Sequence, residues 1–165
     1  MHIENERPGD AETIHSMTVS AFATVLYGDG SEGRVIDALR AAGALALSLI
    51  VIEGDDIIGH ITFSPVTING KQGPWLCLGP VAVMPARQFS GIGSMLIREG
   101  LRQIEAQGAE LCVLLGNPSY YNRFGFEHDP ALSCGEGLPE AFQRLVFKGE
   151  APAGVVAFHP AFAVG

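Results

Sequence analysis

The sequence predicts an α/β protein: a mixed sheet with helices on both faces, its elements in the order βααβββαβαββ. Three observations predict it. Short apolar runs alternate with helix-period segments along the chain. A strand, a glycine loop and a helix follow one another between Leu76 and Gln107. The apolar run Leu111–Leu115 reads as a strand covered on both faces.

The elements follow in order. Met1–Glu6 reads as the first strand. Pro8-Gly9-Asp10 opens a helix, with Asp10 as its cap and Thr13 in the first turn. Ile14, Met17, Ala21 and Val25 then recur at helical spacing. Tyr27-Gly28-Asp29-Gly30 breaks that helix. Ser31-Glu32-Gly33-Arg34 opens a second one, which carries Val35 and Leu39 inward and ends near Gly43. Leu47–Glu53 and Ile57–Val66 are strands joined by a hairpin at Gly54-Asp55-Asp56. Leu76–Met84 is the next strand, and Gly79-Pro80 inside it predicts a bend or a bulge. Gly91–Gln107 is a helix stopped by Gly108. After Leu111–Leu115 come a short helix, Ser119–Phe124, and two final strands, Ala141–Lys148 and Gly154–Phe158.

Composition bounds the function. A chain of 165 residues, 47% hydrophobic and without repeats, fits a single domain over residues 1–165 with a sizeable core. The longest apolar stretch, Ala41–Ile52, is too short to span a membrane. The polar, acidic start Met1-His2-Ile3-Glu4-Asn5-Glu6 is unlike a signal peptide. Three cysteines with no Cys-x-x-Cys pair point to a reducing, cytoplasmic setting and away from a disulfide frame or a metal site. A net charge of −8 disfavours nucleic acid as a partner and suits a cationic amine. Between a monomer and a homodimer the sequence does not decide.

The glycine loop carries the chemistry. The first turn of a helix has unpaired N–H groups and the positive end of the helix dipole, so it attracts phosphate. Gly91 and Gly93 let the backbone approach a bulky anion. The N–H groups of Phe89, Ser90, Gly91, Ile92, Gly93 and Ser94 are the candidate donors. The spacing is not a dinucleotide fingerprint, because Leu96 stands where the third glycine belongs. Nor is it a P-loop, because no Gly-Lys-Ser or Gly-Lys-Thr occurs.

What remains, Gln88-x-x-Gly91-x-Gly93, resembles the acetyl-CoA pyrophosphate loop of the GNAT N-acetyltransferase superfamily. A second passage, Asn117-Pro118-Ser119-Tyr120-Tyr121-Asn122-Arg123-Phe124-Gly125-Phe126, resembles the superfamily's late motif, a short helix bearing a Tyr and ending in Gly-Phe. With Gly59-His60-Ile61 and Leu78-Gly79-Pro80-Val81-Ala82-Val83, the pattern is similar to the predicted-acetyltransferase branch called YhbS-like.

The resemblance implies the GNAT acyl-CoA N-acyltransferase fold and acetyl-CoA as co-substrate, with no metal. It implies a cleft where the fourth and fifth strands splay, with pantetheine pairing to the backbone of Val81, Ala82 and Val83. It makes Asn117 either a pantetheine contact or the cap of the following helix. It makes Tyr121 the general acid for the CoA thiolate, against the alternative of a half-buried core tyrosine. Tyr120 reads as packing or as lining of the acceptor site. The chain departs from the superfamily pattern at Phe89 and Ser90, where a glycine and a cation are common. Arg87 either restores that charge or is a solvated surface arginine.

Acyl transfer needs a neutral attacking amine, a donor for the oxyanion and a proton for the leaving thiolate. Deprotonating a lysine-like amine at pH 7 spans about 3.4 pKa units, roughly 4.6 kcal/mol. Glu32, His60 and His128 are the candidate bases, with no dedicated base as the fourth option. Asp29, Glu32, Glu136 and Glu140 are either a rim that greets a cation or solvated surface. Cys77 and Cys134 lack a Cys-His pattern that would support a covalent acetyl-enzyme. The reading is therefore an N-acetyltransferase acting on a small-molecule or peptide amine. The alternatives are an inactive acyl-CoA-binding sensor and a small nucleotide-binding module of another fold.

Overall fold

The computed structural model describes residues 1–23, 30–135 and 139–163. Its elements are β1 (His2–Asn5), α1 (Ala11–Phe22), α2 (Glu32–Ala41), β2 (Leu47–Glu53), β3 (Asp56–Ile68) and β4 (Lys71–Val83), then α3 (Ile92–Ala106), β5 (Leu111–Leu115), α4 (Pro118–Tyr121), β6 (Leu132–Ser133), β7 (Phe142–Val146) and β8 (Gly154–Ala157). Val25, Tyr27, Gly28, Asp29 and Glu136 lie outside the described residues.

The two-sided core is written in β2. Leu47, Leu49 and Val51 pack with the buried face of α3, where Ile92, Leu96, Ile97, Leu101 and Ile104 recur at helical spacing. Ile50 and Ile52 turn to the opposite face and meet Ile14, Met17 and Ala21 of α1 and Ile36 of α2. Both faces of the sheet are thus covered by helices, as the alternation of elements predicts. The strands lie in the order β1-β2-β3-β4-β5-β7, and β8 joins the far end of β3 and pairs with β6. Among the described residues only the β4–β5 and β6–β8 pairings are parallel.

Several boundaries differ from the sequence reading. The third and fourth strands run on past Val66 and start before Leu76, because Asn69-Gly70 makes a two-residue hairpin turn with Ile68 opposite Lys71. The two-residue strand β6 is an addition; it is too short to show a period. Asp10 begins α1 but does not cap it with its side chain. That carboxylate instead accepts the Arg7 backbone N–H at 2.8 Å and the Arg7 guanidinium at 3.0 and 3.2 Å.

A polar cluster pins β1, α2, β2 and β3 together. Arg40 donates to both oxygens of Glu6, at 2.8 and 2.9 Å, and the Ser48 hydroxyl donates to Glu6 at 2.6 Å. With that hydroxyl proton committed, His60 Nε2–H donates to Ser48 Oγ at 2.7 Å. Burial opposes the Glu6 charge, but hydrogen bonds from Arg40 and Ser48, with His60 Nε2 nearby at 3.7 Å, outweigh it and hold the carboxyl well below the usual range. His60 is fully buried, and burial pushes its pKa down, so it is neutral.

Candidate functional site

β4 pairs with β5 only over Trp75–Cys77, opposite Leu111–Val113. Beyond Cys77 the two strands separate, and the remaining length of β4 keeps a partner on one side alone. The separation begins at Gly79-Pro80. There the β3–β4 register shifts, with three steps of β4 (Leu78 to Val81) facing two of β3 (Phe63 to Ile61). This is the bulge that glycine and proline predict. The Thr62 hydroxyl donates to the Pro80 carbonyl at 3.2 Å and holds it in place.

Register decides which backbone groups face the gap. Met84 N–H donates to Ile58 O at 2.9 Å, and Ala82 lies opposite His60. The antiparallel alternation then turns the peptide groups of Ala82 towards β3 and those of Val81 and Val83 towards the gap. Ala82 therefore offers the gap no backbone pairing, unlike its two neighbours. The Val83 carbonyl is taken by the Gln88 side-chain amide at 3.1 Å. Gln88 thus braces the glycine loop against the end of β4.

A cavity of about 630 Å³ runs from this open edge to the start of α3. Gly91 precedes α3 in a left-handed conformation, φ 88°, which only glycine adopts without strain. The first intrahelical bond is Met95 N–H to Gly91 O at 3.0 Å. The N–H groups of Ile92, Gly93 and Ser94 before it have no acceptor within the helix, and no side chain caps this end. Of the candidate cofactor residues, Val81, Ala82, Val83, Gln88, Phe89, Gly91, Ile92, Gly93 and Ser94 line the cavity. Ser90 and Asn117 do not. The Ser90 hydroxyl turns back to the Arg87 carbonyl, and Asn117 Oδ1 accepts Ser119 N–H at 3.0 Å as the cap of α4. Phe89 is fully exposed and sits at φ 63°, a strained position for a residue with a Cβ.

Charge around the cavity is arranged differently from the sequence expectation. Arg87 is paired with Glu53 through both guanidinium nitrogens, one contact at 2.8 Å. Arg123 is the cation that sequence reasoning missed. It lines the same cavity, lies 4.4 Å over the Tyr120 ring and donates to Tyr120 O at 2.8 Å. Nothing in its local sequence signals this; only the return of α4 beside α3 brings it there. The Tyr120 hydroxyl pairs with Ser94 Oγ at 3.1 Å, so Tyr120 belongs to the cofactor-side cavity.

Tyr121 points into a second cavity of about 520 Å³. Phe22 and Val81 line both cavities, so the two meet at the open edge of β4. The Tyr121 ring packs edge-on against Tyr120 and Phe126, with centroids 5.0 and 6.2 Å away. Burial pushes its phenol up to about 12, with Tyr120 and Cys77 adding to the shift. Of the candidate bases, Glu32 lines this cavity. His60 is sealed in the polar cluster behind the sheet, and His128 is exposed and lines neither cavity. Glu140 is exposed and also lines neither. Cys77 lines the second cavity, but burial pushes its thiol up to about 12, far from a thiolate at neutral pH. No group of His, Cys, Asp and Glu able to hold a metal occurs among the described residues.

A glycine loop at a helix start, an open strand edge and a tyrosine beyond it define an acyl-CoA transferase architecture. Residues 7–128 match the acetyltransferase (GNAT) domain family, and the chain belongs to it. It is 34% identical over 149 residues to YhbS of Escherichia coli K12, described as an uncharacterized N-acetyltransferase, covering 87% of this chain and 85% of that protein. The crystal structure of a GNAT family acetyltransferase from Brucella melitensis in complex with acetyl-CoA superposes with a TM-score of 0.88. The two are 50% identical over 98% of this chain and 97% of the other. The structure of E. coli YhbS in complex with CoA superposes at 0.89 with 29% identity, over 98% and 91% of the two chains.

Proposed function

We propose that this acetyltransferase binds acetyl-CoA along the open edge of β4 and moves the acetyl group to a primary amine by direct attack in a ternary complex. The observation that carries the reading is continuity. The free N–H groups at the start of α3, the outward backbone of Val81 and Val83, and the Tyr121 ring follow one path through two joined cavities. Pyrophosphate binds the N–H groups around Gly91 and Gly93, with Arg123 as the nearby cation. Pantetheine adds as a strand to Val81 and Val83. The thioester then lies where the cavities meet. The relatives solved with acetyl-CoA and with CoA support the choice of cofactor.

Chemistry at the junction follows. The amine nitrogen attacks the thioester carbonyl, the C–N bond forms, and the C–S bond breaks. The incoming ammonium first gives one proton to solvent, the nitrogen gives up a second after attack, and the departing thiolate takes one proton from solvent. Glu32 is the carboxylate on the amine's side. Tyr121, protonated at neutral pH, donates a hydrogen bond to the negative charge growing on sulfur. Full proton transfer from a phenol near 12 to a thiolate of ordinary basicity, about 8.5, runs uphill, so donation rather than release is its role. The protonated state of Cys77 favours direct attack over an acetyl-cysteine intermediate.

We take residues 1–165 as one catalytic domain working in the cytoplasm. Cys77, Cys112 and Cys134 form no disulfide, and no described helix is long and apolar enough to cross a membrane. The test is paired. Calorimetry measures acetyl-CoA affinity, and thiol release is followed with primary amines. Binding without thiol release from any amine would make the chain a sensor. Displacement of acetyl-CoA by ATP at equal concentration would make it a nucleotide module.

A further inference from the structure

Among the described residues, the cavity beyond Tyr121 is lined mostly by apolar side chains. Phe22, Leu78, Leu115, Phe158 and Phe162 supply most of that surface, and Glu32 is the carboxylate among the described lining residues. Phe158 and Phe162 lie tilted at 42° with 5.6 Å between centroids, and Phe158 is braced edge-on by Phe142 at 6.2 Å. The other titratable side chains among its described lining residues, Cys77 and Tyr121, are neutral at pH 7. A space of about 520 Å³ is ample for an arylalkyl or branched alkyl amine.

Such walls discriminate by what they cannot satisfy. A polyamine or an amino alcohol would leave charges or hydroxyls against rings that offer no hydrogen bond, which is costly. An aromatic or branched alkyl body leaves water for a matching surface. One carboxylate among the described lining residues matches one ammonium group.

Resting on the transfer reading above, we propose that the acceptor is a primary amine carried on an aromatic or branched alkyl body. Its ammonium meets Glu32, and its body lies among Phe22, Leu115, Phe158 and Phe162. The amine end faces Val81, which the cofactor cavity shares, so nitrogen and thioester meet there. Arylalkylamines such as 2-phenylethylamine and tryptamine are the probes that fit.

The experiment compares 2-phenylethylamine, tryptamine and isoamylamine with ethanolamine, putrescine, spermidine and glycinamide, following thiol release from acetyl-CoA. The apolar set is expected to show kcat/KM higher by on the order of 10²-fold. Leu115 is half exposed, so Leu115→Asn is expected to fold. It should narrow that gap several-fold, with unchanged acetyl-CoA affinity as the check on folding. Equal or faster turnover of the hydrophilic amines would overturn the acceptor class and leave the N-acetyltransferase reading standing. Preference for octanoyl-CoA over acetyl-CoA would also overturn it, by giving the cavity to the acyl chain. Acetyl-CoA binding with no turnover of either set would overturn both readings together.

Discussion

Gly116 lies under the ring of Tyr121, so close that a Cβ at position 116 would stand 2.5 Å from Tyr121 Cε2 and 2.9 Å from Cδ2. No side chain fits between them, and the ring cannot yield freely because Tyr120 and Phe126 pack against it. Gly116→Ala must therefore push the phenol off its position. Displacement by about 1 Å is enough to lower turnover by roughly 10²-fold. Acetyl-CoA affinity should hold, because the proposed phosphate and pantetheine contacts lie in the other cavity. Steady-state kinetics and calorimetry on one preparation check this.

Tyr121→Phe isolates the hydroxyl from the ring. The packing survives, and the proposed donor to the leaving sulfur is lost. Turnover is expected to fall by about 10²-fold, the usual cost of a lost donor to developing charge. A core role alone predicts a lower melting temperature and near-normal kcat instead. The phenol titrates near 12, so it should contribute no limb to the pH–rate profile below pH 10.

Gly91 and Gly93 separate backbone strain from crowding. Gly91→Val places a β-branched residue at φ 88° and should cost stability as well as acetyl-CoA affinity. A Cβ at Gly93 meets the Tyr120 hydroxyl and Val83 Cγ2 at 3.8 Å, ordinary contact distances. Gly93→Val should therefore fold normally and still bind acetyl-CoA poorly, because its methyls enter the phosphate cavity. Unchanged affinity in a folded Gly93→Val variant would remove the pyrophosphate from this loop.

The buried polar cluster sets the acid limit. His60 and Glu6 both have folded pKa values below their ordinary ones. Such groups stabilise the fold above the ordinary value, and that stability is lost as pH falls towards the folded one. The melting temperature should be level above about 6.5, decline below it through His60, and decline more steeply below about 4.5 through Glu6. His60→Gln should remove the upper limb and leave the lower one. Thermal melts from pH 8 to pH 3.5 measure both.

The layered fold was legible because its signals are local. The stripe of α3 and the strand β2 show their periods within a dozen residues. Gly79-Pro80 announced the bulge through backbone chemistry alone. The Asn69-Gly70 turn is equally written in the sequence, but the strands around it alternate weakly and contain Pro65 and Pro74, which hides their length. The site was legible only in part. Nothing near Arg87 tells that Glu53, on another strand, claims it. Nothing near Arg123 tells that α4 returns beside α3. Likewise, His60 and Glu32 read alike as candidate bases; only the tertiary packing seals one behind the sheet and leaves the other in a cavity.

Phe22 and Val81 line both cavities, which therefore share a boundary at the open edge of β4. On the proposed reading, cofactor and amine occupy different cavities and do not block one another. Neither acetyl-CoA nor the amine then has to arrive first, and neither product has to wait for the other to leave. Initial-velocity lines at varied concentrations of both substrates should intersect rather than run parallel. Product inhibition by CoA should be competitive with acetyl-CoA, and inhibition by the N-acetylated amine competitive with the amine.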